Sequence, residues 1–299
     1  GHAAFLGVGA YTQAYLVTHG FPFLVALLAS TALAAAVGVL VAMPALRVKG
    51  IYLGIATLSF GFIVEEVFAR WESVTKGNSG MSVPAPTLFG VDLTAGPGFY
   101  LACLVVAVLS TIGILNLLRS PTGRAFVAIR DSEISAQSMG IHLARYKPLS
   151  FAVSAALTGL GGALYAHKLS FLSPDQFSIF QSIDLLLLVV IGGLGSVHGA
   201  FLGAIFLITM PQLIALGKDW VSAHAESLSG IGPVLTAITQ APGLQPLIYG
   251  LVLIGFVLFE PLGLYGRWLK IRTYFELFPF YRKGMFKRQK SFTKSDRLK

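Results

Sequence analysis

Few residues in this chain have the types and spacing that chemistry requires. Its six histidines, His2, His19, His142, His167, His198 and His224, form no His-Glu-x-x-His run and no paired metal-ligand spacing. The single cysteine, Cys103, sits in an apolar run and excludes both an internal disulfide and a cysteine metal cluster. A glycine-rich stretch from Gly192 to Gly199, GGLGSVHG, lacks the lysine of a phosphate-binding loop and lies within apolar sequence. No Walker-type Gly-x-x-x-x-Gly-Lys run occurs elsewhere, so the chain has no site of its own for hydrolysing ATP. Gly193, Gly195, Ser196 and Gly199 have two other uses. They can break a helix and turn its freed N–H groups toward an anionic group such as a carboxylate, or they can let two helices cross closely, since Gly195 and Gly199 stand at small-xxx-small spacing.

The elements that hold these residues follow from composition. Hydrophobic residues make up 55% of the chain and charged ones 12%, which leaves too little polar surface for a soluble domain. The fold class is therefore an all-α polytopic membrane protein. A helix needs about 20 apolar residues to cross the hydrocarbon core. Dividing the chain by that length gives eight apolar segments, approximately Ala4 to Thr18, Pro22 to Leu46, Ile51 to Phe68, Phe99 to Leu118, Pro148 to Ala166, Ser182 to Ile191, Ala200 to Leu216 and Leu247 to Leu262. The sixth is too short to span comfortably and runs straight into the glycines, so it reads as a broken or re-entrant helix, with the broken form favoured.

Charge orients the segments. If each crosses once, Arg47, Lys49, the stretch 119–147 and the tail lie on one side, which then holds 18 of the 22 Lys and Arg and is cytoplasmic. The membrane-spanning body is 1–266, the basic tail is 267–299, and 70–97 is the largest external loop. The tail carries eleven Lys or Arg after Tyr265 against Glu276 and Asp296. Beside a membrane span such a tail points to cytoplasmic placement rather than to nucleic-acid binding. Glu65, Glu66, Asp184 and Glu260 all fall near segment ends, where water solvates them, so no proton relay is required. Thr57, Ser59 and Gly61 interrupt the third segment in mid-membrane; they either line a path or bond back to their own helix.

An internal echo links the chain's start to the glycine-rich stretch. HAAFLG from His2 to Gly7 and HGAFLG from His198 to Gly203 agree at five of six positions. Glycine-interrupted segments at corresponding places in two halves point to a transporter's substrate path, and Gly7 and Gly9 join the candidates on that ground. Shared small-residue packing gives the same pattern.

The only long polar, helix-forming stretch is Arg119 to Lys147, RSPTGRAFVAIRDSEISAQSMGIHLARYK. Ser120 can cap a helix with Pro121 at its first position, Asp131 or Ser132 can cap a second, and Gly140 suits its C′ position. Helices this short need packing to order them. Its basic residues would equally hold a plain loop against an anionic membrane face.

The stretch resembles the cytoplasmic coupling loop of ABC-importer permeases for branched-chain amino acids, through Ser120, Pro121, Gly123, Arg124, Ala128, Ile129, Arg130, Gly140 and Ile141. Of the wider importer pattern, Ala136 and Gly140 match, while Ile134 and Ser135 replace its Glu and first Ala. Thr75, Gly77, Gly80 and Pro84 fall where that family has a Thr-Gly-Gly run, with Lys76 in place of a usual Gly. The GGLGS run and the ending Phe259, Glu260, Pro261, Gly263 extend the likeness over nearly the whole chain.

The resemblance to the M-type permeases implies a bacterial inner-membrane, multi-pass subunit that pairs with a second permease, two cytoplasmic ATPases that bind the ATP, and a periplasmic solute-binding protein for leucine, isoleucine or valine. It implies no cofactor in this chain. Arg124, Ala128, Ile129, Arg130, Ala136 and Gly140 would form the ATPase handle, with Phe126, Ile129 and Ile134 as its apolar residues. Loop 70–97 is then either a docking surface for the binding protein or a solvated cap. In that family earlier spans precede the GHAAF run, so a chain lacking its natural start is expected. Urea and short-amide importers share the family, and a membrane channel is the reading from another class.

Overall fold

The computed structural model describes residues 1–46, 50–88, 90–93, 97–225, 241, 243–259 and 263–276. Arg47, Lys49, Glu260, Pro261 and the tail beyond Glu276, all used in the charge and motif arguments, lie outside the described residues. Each of the eight apolar segments is a helix: α1 His2–Thr18, α2 Phe23–Ala45, α3 Ile51–Arg70, α5 Gly98–Arg119, α8 Leu143–Leu169, α9 Ile179–Gly192, α10 Val197–Ala225 and α11 Leu244–Phe259. Shorter helices are α4 Glu72–Thr75, α6 Pro121–Asp131, α7 Glu133–Ser138 and α12 Gly263–Glu276. Among the described residues, six helices are long and apolar enough to cross a membrane. The sixth apolar segment gains length from a 3₁₀ turn at Pro174–Phe177, so that Pro174–Gly192 makes a 19-residue candidate span.

The chain divides into two compact units, Gly1–Leu186 and Leu187–Lys299. In the first, α1, α2 and α8 form the core through small residues: Ala3, Ala4, Ala10 and Ala14 of α1, Ala26, Ala34 and Ala42 of α2, and Ala155, Ala163 and Ala166 of α8. Lipid tails are as apolar as leucine, so helices gain little by hiding hydrophobic surface from them and must instead approach closely enough for dispersion contacts. The closest approach is between α1 and α8, where a Cβ on Gly9 would strike the Gly159 carbonyl and one on Gly162 the Leu6 carbonyl. On α2, a Cβ on Gly38 would lie 2.6 Å from the Ala155 methyl. By contrast α5 buries no residue at all.

A polar network crosses this core. Gln13 and Ser30 are fully buried and His167 nearly so. His167 Nδ1 lies 3.1 Å from the Pro84 carbonyl, which can only accept, so Nδ1 carries the proton and donates. Its Nε2 is then the acceptor for the Gln13 side-chain amide at 3.0 Å. Ser30 Oγ stands 3.4 Å from Gln13 Oε1. The same helices hold the loop after α3, because β1 (Met81–Ser82) pairs antiparallel with β2 (Phe171–Leu172), directly after α8. Thr75 closes the turn by donating to the Phe68 carbonyl at 2.6 Å and accepting from the Gly77 N–H at 3.2 Å. Lys76, at φ 63°, adopts the left-handed backbone suited to the glycine usual at that place.

The close crossing predicts a contrast between neighbours on α8. Gly162→Ala should destabilise by about 1–3 kcal/mol through overpacking and lower the thermal unfolding midpoint in detergent. Gly161→Ala, with nothing within 4 Å of its Cβ, should leave the midpoint unchanged or raise it. Equal midpoints for the two variants would show that the crossing is not tight.

Candidate functional site

The polar stretch between α5 and α8 folds as two capped helices. Ser120 Oγ accepts the Gly123 N–H at 3.2 Å with Pro121 at the first helical position, and Ser132 Oγ accepts the Ser135 N–H at 3.2 Å. Of the two residues expected to cap α7, Ser132 does so and Asp131 ends α6. Gly140, at φ 83°, closes α7 as expected: its N–H donates to the Gln137 carbonyl at 3.0 Å and that of Ile141 to the Ala136 carbonyl at 3.1 Å, the paired bonds of a Schellman ending. Gly123 is required for a different reason, since a Cβ there would collide with the backbone of Leu117 and Leu118 where α6 folds back on α5.

Packing sorts the candidate residues of this segment. Ala136 is only 2% exposed, so the small residue expected at a partner interface is already covered by its own chain. Ala128 and Ile129 are half-buried, while Arg124 and Arg130 are exposed. Arg124 donates to the Arg119 carbonyl at 3.0 Å and Arg130 pairs with Asp131 at 2.9 Å. Phe126 turns inward against Tyr146, with ring centroids 6.4 Å apart at 82°. Lys147 of α8 holds Glu133 of α7 at 2.7 Å, and both are partly buried. The most outward apolar residues are Ile134, 76% exposed, and Met139, 86% exposed, followed by Val127 at 38%. The sequence reading missed Met139, although an apolar residue beside a C-terminal glycine in a polar helix is a usable signal.

Among the cavities beside this segment, two share lining residues in the first unit. A smaller one, of about 410 Å³, is lined by Phe126, Ile129, Glu133 and Lys147 together with Leu53, Ser150 and Phe151. A larger one, of about 600 Å³, shares Leu53, Ser150 and Phe151 and adds His2, Phe5, Thr57, Leu58, Ser154, Ser182, Ile183 and Leu186. Its walls are mostly apolar, with four hydroxyls and no formally charged side chain among its lining residues. Ser182 is fixed by accepting the Ala3 N–H at 3.1 Å. Thr57 lines this cavity and donates to the Gly54 carbonyl at 2.9 Å. Ser59 is exposed on another face of α3. Gly7 and Gly9 are buried at packing contacts, where a Cβ on Gly7 would lie 2.5 Å from the Phe68 ring.

In the second unit the glycine-rich stretch is a reversal. A Cβ on Gly192 would strike the Gly199 carbonyl and one on Gly203 the Leu188 carbonyl, so α10 doubles back along the end of α9. The helical run is thus broken at the glycines, as expected, and those at φ 117° (Gly193) and 82° (Gly195) turn the chain back into a helical hairpin. Ser196 caps α10, accepting the Gly199 N–H at 2.9 Å and donating to the Gly193 carbonyl at 3.2 Å. That cap occupies one of the N–H groups an anion would use. Among the described residues, no group of three His, Cys, Asp or Glu could hold a metal ion.

Comparison with known proteins matches residues 1–259 to the family described as branched-chain amino acid transport system permease component. The chain is 36% identical over 272 residues to the high-affinity branched-chain amino acid transport system permease protein LivM of Escherichia coli K12, covering 83% of this chain and 63% of that protein. It is 34% identical to the LivM protein of Salmonella typhimurium with the same coverage. It is also 29% identical over 119 residues to the autoinducer 2 import system permease protein LsrC of an Enterobacter, covering 38% of this chain and 34% of that one. The chain thus spans just under two thirds of the length of the two LivM proteins. No solved structure matches.

The caps generate a local prediction. Ser132→Ala should cost about 1 kcal/mol of helix stability and lower amide-exchange protection across Glu133 to Ile141, with α8 unaffected. Unchanged protection there would mean that tertiary packing alone orders α7.

Proposed function

Because the chain belongs to the family of branched-chain amino acid transport permease components, we propose that it is the transmembrane permease subunit of an ATP-driven importer. It moves leucine, isoleucine or valine inward across a bacterial inner membrane. A second permease subunit completes the passage, two cytoplasmic ATPases bind and hydrolyse the ATP, and a periplasmic binding protein delivers the substrate against loop 70–97. The observation that carries this reading is the capped pair α6–α7, which holds Ile134 and Met139 in solvent on a scaffold packed against α8. Short helices that are fully capped, anchored from behind and apolar in front fit a groove on a partner. The handle therefore includes Ile134 and Met139, with Ala136 and Gly140 setting its shape.

The larger cavity is assigned to the substrate path. Phe5, Leu53, Leu58, Phe151, Ile183 and Leu186 offer an aliphatic side chain its apolar surroundings, while Thr57, Ser150, Ser154 and Ser182 offer hydrogen bonds to a zwitterionic backbone. Fixed charges would bind an amino acid too firmly to release it; hydroxyls orient it and let it pass. Gly7 and Gly9 act on this path indirectly, by allowing the close approaches that shape the helices of the first unit.

Two experiments test the reading. Ile134→Glu with Met139→Glu should leave the permease in the membrane at normal level, reduce recovery of copurified ATPase by about tenfold or more, and abolish substrate-stimulated ATP hydrolysis. Full copurification with normal transport would overturn the handle and favour a channel. Ser154→Phe should fill the cavity and lower leucine uptake without releasing the ATPases. Normal uptake by that variant would remove the cavity from the path.

A further inference from the structure

Helix α12 has an apolar stripe that, beyond its first turn, is exposed among the described residues. Leu264, Trp268, Ile271 and Phe275 recur at helical spacing. Trp268 is 58% exposed, Ile271 45% and Phe275 73%. Arg267 and Arg272 flank this stripe by helical periodicity, and with Lys270 they outnumber the helix's one acid, Glu276, which accepts from Arg272 at 2.7 Å. At its start the helix is fixed in place: Gly263, at φ 69°, approaches so closely that a Cβ there would lie 2.6 Å from the Gly193 nitrogen. The Tyr265 ring stacks on His198 at 5.8 Å and 10°. The helix follows the apolar α11 in sequence, yet it is too short and too charged to span a bilayer itself.

We propose that α12 lies in the membrane–water interface with Trp268, Ile271 and Phe275 immersed in an anionic phospholipid leaflet. Three features favour lipid over a protein groove. The stripe carries a tryptophan, whose ring is suited to the headgroup level. The flanking cations have the sign and position to meet phosphates while their stems cover acyl chain. The preceding helix, α11, is strongly apolar, so α12 follows a segment suited to hydrocarbon. Through Gly263 and Tyr265, the position of this helix also fixes the support beneath the turn between α9 and α10.

The test uses the full chain carrying Cys103→Ala, reconstituted in nanodiscs, with nitroxide labels on Phe275→Cys or Ile271→Cys in the stripe and Thr273→Cys on the opposite face. The labels' relative accessibility to oxygen and to a water-soluble nickel chelate reports immersion. Both stripe labels should be several-fold more oxygen-accessible than the Thr273 label in discs containing phosphatidylglycerol, and the contrast should shrink in pure phosphatidylcholine. Equal accessibility on both faces would overturn the proposal. A contrast independent of lipid charge would overturn the anionic requirement. A stripe shielded only after ATPase subunits are added would show that its partner is protein.

Discussion

The first unit depends on the distance of closest approach between α1 and α8. Backbone meets backbone at Gly9 and Gly159, and again at Leu6 and Gly162, where no side chain larger than hydrogen fits. In lipid that proximity is itself the stabilising interaction, because dispersion falls off steeply with separation and no compensating hydrophobic term remains. It also lets a polar network form. Gln13 reaches His167 only because the two helices are that close, and His167 then reaches out of the helix core to the carbonyl of Pro84. The loop after α3 is thereby tied to the same crossing, through this hydrogen bond and through the pairing of Met81 with Leu172.

What could be read from the sequence follows how local each determinant is. The eight apolar stretches became eight helices because hydrophobic length is a property of consecutive residues. Ser120, Ser132 and Gly140 were legible for the same reason, since a cap is a bargain between residues three or four apart. Ala136 was read as part of a surface offered to a partner, but sequence could not say what packs on it, and the structure covers it with this chain. The direction of the chain after Gly192 was likewise hidden. Glycine permits a kink and a reversal alike, and the choice is made by Gly203 seating against Leu188, eleven residues beyond the break. The larger cavity had no sequence signature, because Phe5, Thr57, Ser154 and Ser182 meet only when four helices assemble.

These local and distant determinants converge on the first turns of α8. Lys147 holds Glu133, Tyr146 packs on Phe126, and Ser150 and Phe151 stand in the walls of both cavities. A partly buried ion pair is stiffer than an exposed one, since neither charge has full access to water as an alternative partner. Displacing α6–α7 therefore either breaks that pair at a cost in desolvation or carries the start of α8 with it. The second course is the cheaper when the displacement is small. Motion of the start of α8 moves Phe151 and Ser154, and so the cavity wall, relative to Thr57 on α3. The far end of the same helix cannot follow freely, because Gly159 and Gly162 are locked against α1 and His167 against Gln13. A force applied at Ile134 and Met139 would thus bend or pivot α8 about its glycine crossing. The cavity lies on the side of that pivot where the movement is felt.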